Sequence, residues 1–265
     1  MVQWVMDKIP LTIILPIHNE ERNIQGCLES VLFADEIIVV DGESSDQSRV
    51  IASNYPVKII DTMNDFAEGQ RLKALAVAKH PWIFFIDADE RVTDALREAI
   101  TRTIREDDLK SAYYVRRKNV YRGQTIHLHD PDFQLRLFRS KEVVFPDKIH
   151  QKPDVHGKTG KLQGDLIHYF FTNVHDYLCR LNKYTDAASS YGKSDHRKKS
   201  AFFYIKSLFL RPWARFFQYY FIRRGFLDGY FGFFYSTASA YYEFASASKY
   251  LTRSDASDDA EIRKP

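Results

Sequence analysis

Phe85-Ile86-Asp87-Ala88-Asp89-Glu90 ends the apolar run Trp82–Ile86 with three carboxylates in four residues. A run that apolar reads as a strand buried on both faces, and acidic groups at its end repel one another unless a counter-cation is present. Upstream, Leu11–Leu15, Glu36–Val40 and Val57–Ile60 read as further strands, with three helix-length segments between the four. Such alternation predicts βαβ units and a parallel sheet covered on both faces. Ser44-Ser45-Asp46 offers N-cap chemistry to the second helix, and Thr93 with Asp94 to the helix after the fourth strand. Each strand run leads into a polar or acidic group: Pro16-Ile17-His18-Asn19-Glu20, Asp41 to Asp46, Asp61, and Asp87 to Glu90. Carboxyl ends of parallel strands are where open α/β sheets bind ligands. A divalent cation would relieve the acidic triplet, and hard oxygen ligands select Mg²⁺ or Mn²⁺.

From Ser111 the pattern changes to Tyr- and Arg-rich β segments, Tyr113–Arg117 and Gln134–Arg139, separated by the polar loop Gly123–Asp132. Beyond Val174 the reading is helical to Tyr250, and the polar stretch 254–265 reads as a disordered tail. The expected division is therefore an α/β domain over 1–173, a helical extension over 174–253 and the tail. With 45% hydrophobic and 28% charged residues, the 265-residue chain is ordinary for a folded protein. Cys27 and Cys179 have no metal-ligand spacing and suggest no disulfide framework, so a reducing cytosol is the simplest setting. The run Leu11–Leu15 is too short for a signal-peptide core or a membrane span.

The segment Ala201–Tyr250 holds 20 of the 39 aromatic residues, with six Lys or Arg against Asp228 and Glu243 alone. Its longest uncharged stretch, Gly229–Tyr242, cannot span a bilayer, but aromatic and basic groups together suit an interfacial helix on an anionic membrane. A helical pair packed on the α/β domain, or an oligomer contact, is the alternative. No recognition motif supports nucleic-acid binding.

Pro16…Asn19-Glu20, then Val39-Val40-Asp41-Gly42-x-Ser44-x-Asp46, then Phe85 to Glu90 resembles the family-2 glycosyltransferases, whose nucleotide-binding fold is the GT-A type. The resemblance implies that Asp41 contacts the base, usually uracil, and that Asp87 and Asp89 hold ribose, metal and diphosphate. Pro16, Asn19, Glu20, Arg71 and Ala88 complete the implied donor-binding set. His168 or His150 would add a third metal ligand, although a hydrogen-bonded structural histidine is an equal reading of each. Glu20 can equally serve the macrodipole of the helix it begins.

Later segments are similar to lipopolysaccharide core enzymes that add glucose to inner-core heptose: Pro131 to Arg139, Gly164 to Tyr169, Leu181 to Thr185 and Arg223 to Gly229. Two motifs depart from that pattern. Gln70-Arg71-Leu72 stands where Asn commonly ends the triplet, and Ile149-His150-Gln151 where Val-His-Glu is common. Gln151 cannot accept a proton, so Asp132, with Asp130 or Asp147 behind it, becomes the expected base. The implied reaction is a single displacement with anomeric inversion, in which the metal, joined by Arg71 or Arg136, stabilises the departing nucleoside diphosphate. A UDP-sugar donor and a lipid-linked oligosaccharide acceptor at the cytosolic face of the inner membrane are the expected partners. A polyprenyl-phosphate acceptor, which needs no base, and a non-catalytic glycan-binding scaffold are the alternatives.

Overall fold

The computed structural model describes residues 8–63, 67–107, 109–145, 153–169, 174–190 and 201–262. The chain forms two units, one of 1–118 with 131–169 and the other of 119–130 with 170–265.

The first unit begins β1 (Ile9–Ile17), α1 (Ile24–Val31), β2 (Ala34–Asp41), α2 (Ser48–Ser53), β3 (Lys58–Asp61), α3 (Ala67–Leu75) and β4 (Trp82–Phe85). It continues through β5 (Glu90–Val92), α4 (Asp94–Arg105) and β6 (Ala112–Tyr121). After the short β7 (Gln124–Thr125) come β8 (Asp132–Arg139), β9 (Val143–Val144), β10 (Asp154–Val155) and β11 (Thr159–Tyr169). The main sheet runs β3-β2-β1-β4-β8-β6-β11-β5. Its first four strands are parallel, whereas β8 is antiparallel to both β4 and β6, and β5 to β11.

Every residue from Leu11 to Ile17 is buried, which is why β1 carries no polar/apolar alternation. One face packs Ile13, Leu15, Val39 and Phe84 against Leu28 and Val31 of α1 and Leu96 and Ile100 of α4. The other packs Ile14, Ile38, Val40 and Phe85 with Ala74 of α3 and Phe138 of β8. Parallel register aligns Ile17 with Asp41 and Asp41 with Asp61, and so brings the polar strand ends to one edge.

Helix α4 starts as the sequence predicts, the Thr93 hydroxyl accepting from Leu96 N at 3.3 Å. Helix α2 starts later than the Ser44–Asp46 signal implies. Its N-cap is Gln47, without a side-chain bond, while Asp46 Oδ1 accepts from Ser48 N at 2.9 Å and its Oδ2 from Glu21 N at 3.1 Å. The capping chemistry is thus shared with the loop after β1.

In the second unit, Val120 and Tyr121 of β6 pair with β7, and Ile126 and Leu128 pack with Phe231. Helix α5 (Val174–Ser190) is followed by α6 (Ala201–Ile205), which runs through a π turn (Lys206–Leu210) into α7 (Arg211–Phe217) and a second π turn (Gln218–Ile222). A 3₁₀ turn (Gly225–Asp228) then leads into α8 (Gly229–Ile262). Gly232 lies so close to the Gly225 carbonyl that a Cβ there would sit 1.7 Å from its oxygen. The Asp228 carboxylate accepts from the backbone N–H groups of His127 and Leu128, at 2.8 and 2.9 Å. Helix α8 continues into the stretch 254–265 for which composition predicts disorder. Among the described residues no helix is long and apolar enough to cross a membrane.

Candidate active site

Two loops, after β1 and β2, are laced together at the sheet edge. Asn19 takes the left-handed conformation, φ 57°, which Asn tolerates better than most side chains. Its N–H donates to Ser44 Oγ at 3.0 Å and its Oδ1 accepts from Ser45 N at 2.8 Å. Glu20 N donates to Ser48 Oγ at 2.7 Å, and the Glu20 carboxylate accepts from Asn23 Nδ2 at 2.8 Å, so the side chain braces the turn into α1. Pro16 aligns with Val40 in the parallel ladder. Asp41 is buried and accepts from Ser44 N at 3.0 Å, while Arg49 reaches its Oδ2 at 3.4 Å and also grips Asp61. Nothing in the sequence reading singled out Arg49. Its position eight residues after Asp41, in the first turn of α2, was the available signal.

The turn between β4 and β5 carries the acidic triplet. Glu90 is fully buried and closes the turn by accepting from Asp87 N at 3.0 Å, while Glu90 N donates to Asp87 O at 2.9 Å. Ala88 is buried in the core beneath it. Asp87 faces two cations: Arg71 of α3 bonds its Oδ1, and Arg136 of β8 its Oδ2 at 3.0 Å. Arg136, itself buried, also bonds Glu90. Burial works to raise the Asp87 carboxyl, but Arg71 and Arg136 outweigh it and hold the group well below the usual carboxylate range. Burial pushes the Glu90 carboxyl up, against the opposing pull of Arg136. Burial likewise disfavours charge on Arg136, and the Glu90 and Asp87 carboxylates overcome it, so this guanidinium stays protonated.

Asp89 lies across from His168 of β11, Nε2 to Oδ2 3.4 Å, and its carbonyl accepts from Tyr169 N at 2.9 Å. Among the described residues no group of three or more His, Cys, Asp or Glu is arranged to hold a metal ion. The expected trio Asp87, Asp89 and His168 is therefore not assembled as a three-ligand shell. Asp87 is turned to two guanidiniums, which already provide the counter-charge that the sequence argument assigned to a metal. What the turn still offers a cation is two hard-oxygen donors, Asp87 and Asp89, two residues apart.

Asp132, the expected base, opens β8 and accepts from Arg117 Nε and Nη2, both at 2.8 Å, and from Gln134 Nε2 at 2.5 Å. Arg117 also stands 3.8 Å from Glu90, so one chain of charge links Asp132, Arg117, Glu90, Arg136, Asp87 and Arg71. Asp130 belongs to the second unit. Asp147, His150 and Gln151 lie outside the described residues.

This edge, with a buried Asp at one strand end and an Asp-x-Asp turn two strands away, is where the comparisons with known proteins converge. The profile of glycosyl transferase family 2 matches residues 12–160, which takes in Asp41, Asp87, Asp89, Arg136 and Asp132 but not His168. The chain belongs to that family. It is also similar to a lipopolysaccharide core biosynthesis glycosyltransferase, LpsC, of Rhizobium meliloti, at 28% identity covering 94% of each chain. An uncharacterized glycosyltransferase of Rickettsia typhi is 29% identical over 87% of this chain and 83% of its own. Among solved structures, S. aureus TarS bound to UDP-GlcNAc superposes with TM-score 0.51 at 15% identity, covering 95% of this chain and 92% of that one. A mannosyltransferase of Pyrobaculum calidifontis bound to GDP-Man and Mn²⁺ gives 0.51 at 15% identity, over 92% and 87%. These two establish the GT-A fold for this family-2 glycosyltransferase.

Proposed function

We infer that this family-2 enzyme moves a hexose, glucose, from a UDP-sugar to a lipopolysaccharide core oligosaccharide or a similar lipid-linked glycan, with inversion. The observation that carries the reading is the meeting, at one sheet edge, of buried Asp41 with the Asp87–Asp89 turn. The likeness to LpsC along 94% of both chains supports the acceptor class. Asp41, ordered by Ser44 N and Arg49, would read the base, and Asn19 with Glu20 shapes the loop beside it. Asp87 and Asp89 fit a Mg²⁺ or Mn²⁺ ion completed by the donor's phosphates, which would supply Lewis-acid charge stabilisation to the leaving group. Arg71 and Arg136 then present guanidinium charge to the same diphosphate. Each carries a buried Nε without a hydrogen-bond partner among the described residues. The enzyme would work at the cytosolic face of the inner membrane, held peripherally through its helical unit.

A thermal-shift series with UDP-glucose, GDP-mannose and CMP-sugars, each with and without Mn²⁺, tests the donor and the metal together. A ligand at about 100 times its Kd stabilises by about 2.7 kcal/mol, roughly 5 to 10 °C for a chain of this size. That rise is expected with UDP-glucose plus Mn²⁺. A rise with GDP-mannose alone, or one indifferent to metal, would reject the reading. Asp41→Ala should raise the donor KM while leaving kcat within about threefold, because base contacts hold ground state and transition state alike. Steady-state kinetics in UDP-glucose checks this, and a collapsed kcat at unchanged KM removes Asp41 from base recognition.

Asp132→Asn should lower kcat by a factor of about 10² to 10⁴, the usual yield of general-base catalysis, with UDP binding near normal. One observation favours a second reading. Asp132 is engaged by Arg117 and Gln134, as a purely structural carboxylate would be, and an already ionised polyprenyl phosphate would need no base. A loss below tenfold in Asp132→Asn, with transfer to polyprenyl phosphate intact, would select that acceptor.

A further inference from the structure

Five apolar side chains of the second unit, Ile205, Phe209, Trp213, Phe217 and Phe221, recur every four residues. Each is about half exposed, from 49% at Phe217 to 62% at Trp213. An α-helix completes a turn in about 3.6 residues, so a strict four-residue spacing drifts by roughly 40° per step and would wind such a stripe around the axis. The π turns at Lys206–Leu210 and Gln218–Ile222 each take one more residue into the hydrogen-bonded ring, and so under-wind the helix. The stripe is thereby kept in phase. Trp213 and Phe217 have ring centroids 6.2 Å apart, and Phe217 stacks on Phe221 at 5.4 Å. Ile222 at the helix end, 78% exposed, and Leu227 and Tyr230 beyond it are further exposed apolar side chains.

Among the described side chains of 201–250, the free charges around this stripe are of one sign. Lys206, Arg211, Arg223 and Arg224 are exposed and form no ion pair among the described residues. The only two carboxylates of Ala201–Tyr250 are spent, since Asp228 is clamped on the 127–128 backbone and Glu243 is held by Arg215. A second copy of this chain seated on the stripe would bring these cations together without an acid to answer them. A bilayer with anionic headgroups answers them directly. It also accepts aromatic rings at the headgroup level, while Arg and Lys extend to the phosphates.

We propose that the stripe Ile205–Phe221, with Arg223 and Arg224 at its end, is the surface by which this enzyme lies on an anionic membrane, the helix axis in the membrane plane. The assignment rests on the peripheral-membrane reading above and on neither donor nor acceptor. Its test uses the full chain and vesicles alone. Co-sedimentation should show binding to vesicles containing phosphatidylglycerol and much weaker binding to pure phosphatidylcholine. The triple variant Phe209→Ser/Trp213→Ser/Phe217→Ser should lose at least about tenfold in partitioning. Arg223→Gln/Arg224→Gln should lose about tenfold or more on the anionic vesicles only. Brominated acyl chains should also quench wild-type tryptophan emission through Trp213, an effect absent from the conservative variant Trp213→Phe.

Wild-type-like binding by the folded triple variant, or no quenching at Trp213, would overturn the stripe while leaving a membrane role to another surface. No vesicle binding at all would remove both the stripe and the peripheral reading, with the transferase reading untouched. A wild-type dimer made monomeric by the triple variant would assign the stripe to a second copy and overturn the proposal.

Discussion

Asp89→Ala is expected to fold as the wild type and to lose nearly all transfer. Its backbone bond to Tyr169 N does not involve the side chain, and that side chain is partly exposed, so little packing is removed. The variant should melt within about 2 °C of the wild type, as partly exposed polar positions usually do. The lost carboxylate is one of the two hard-oxygen donors in the turn. Charge stabilisation of a leaving diphosphate is worth several kcal/mol, so kcat should fall by about 10² to 10³ at saturating Mn²⁺. Retention of more than about a tenth of wild-type kcat would show that Asp89 is not a ligand.

Arg136→Met should act on stability first. Arg136 is buried and bonds both Asp87 and fully buried Glu90. Removing one partner of a buried ionic cluster leaves uncompensated charge and costs about 3 to 5 kcal/mol. That is roughly 6 to 20 °C in Tm for a chain of this length. Adding Glu90→Gln should recover part of the loss, since it deletes the charge left behind, and a double-mutant cycle reads the coupling directly. A single variant melting within about 2 °C of wild type, or a double variant no better than the single, would show that the cluster contributes little to folding.

The parallel half of the sheet was legible because strands buried on both faces must be written as apolar runs, and Leu11–Leu15 and Trp82–Ile86 are such runs. The site edge followed, because acidic or polar groups ended each of those runs. The partners of those groups were not legible. Arg136 is 49 residues from Asp87 in sequence. Only the antiparallel pairing of β8 with β4, Leu137 opposite Phe84, brings the guanidinium to the end of β4. A sequence argument sees three crowded carboxylates and asks for a cation, without knowing that arginines from α3 and β8 arrive first. Arg117 escaped for the same reason, its partner Asp132 being set by the β6–β8 register. The grouping of 119–130 with the helices was equally hidden, because it depends on Ile126 and Leu128 packing with Phe231 far along the chain. The four-residue stripe was present in the sequence as aromatic content, but its exposure required the two π turns to be seen.

The guanidiniums on Asp87 have one more consequence, for how the polypeptide reaches its native state. A newly made chain that relied on a divalent ion to quiet its acidic turn would fold only as fast as the ion could be captured, and chelators would unravel it, as they do small zinc domains. Here the neutralising charges are covalently part of the chain. This turn carries its own permanent counterions in Arg71 and Arg136, so on the metal-dependent reading proposed above a chelator is expected to silence the enzyme reversibly rather than denature it.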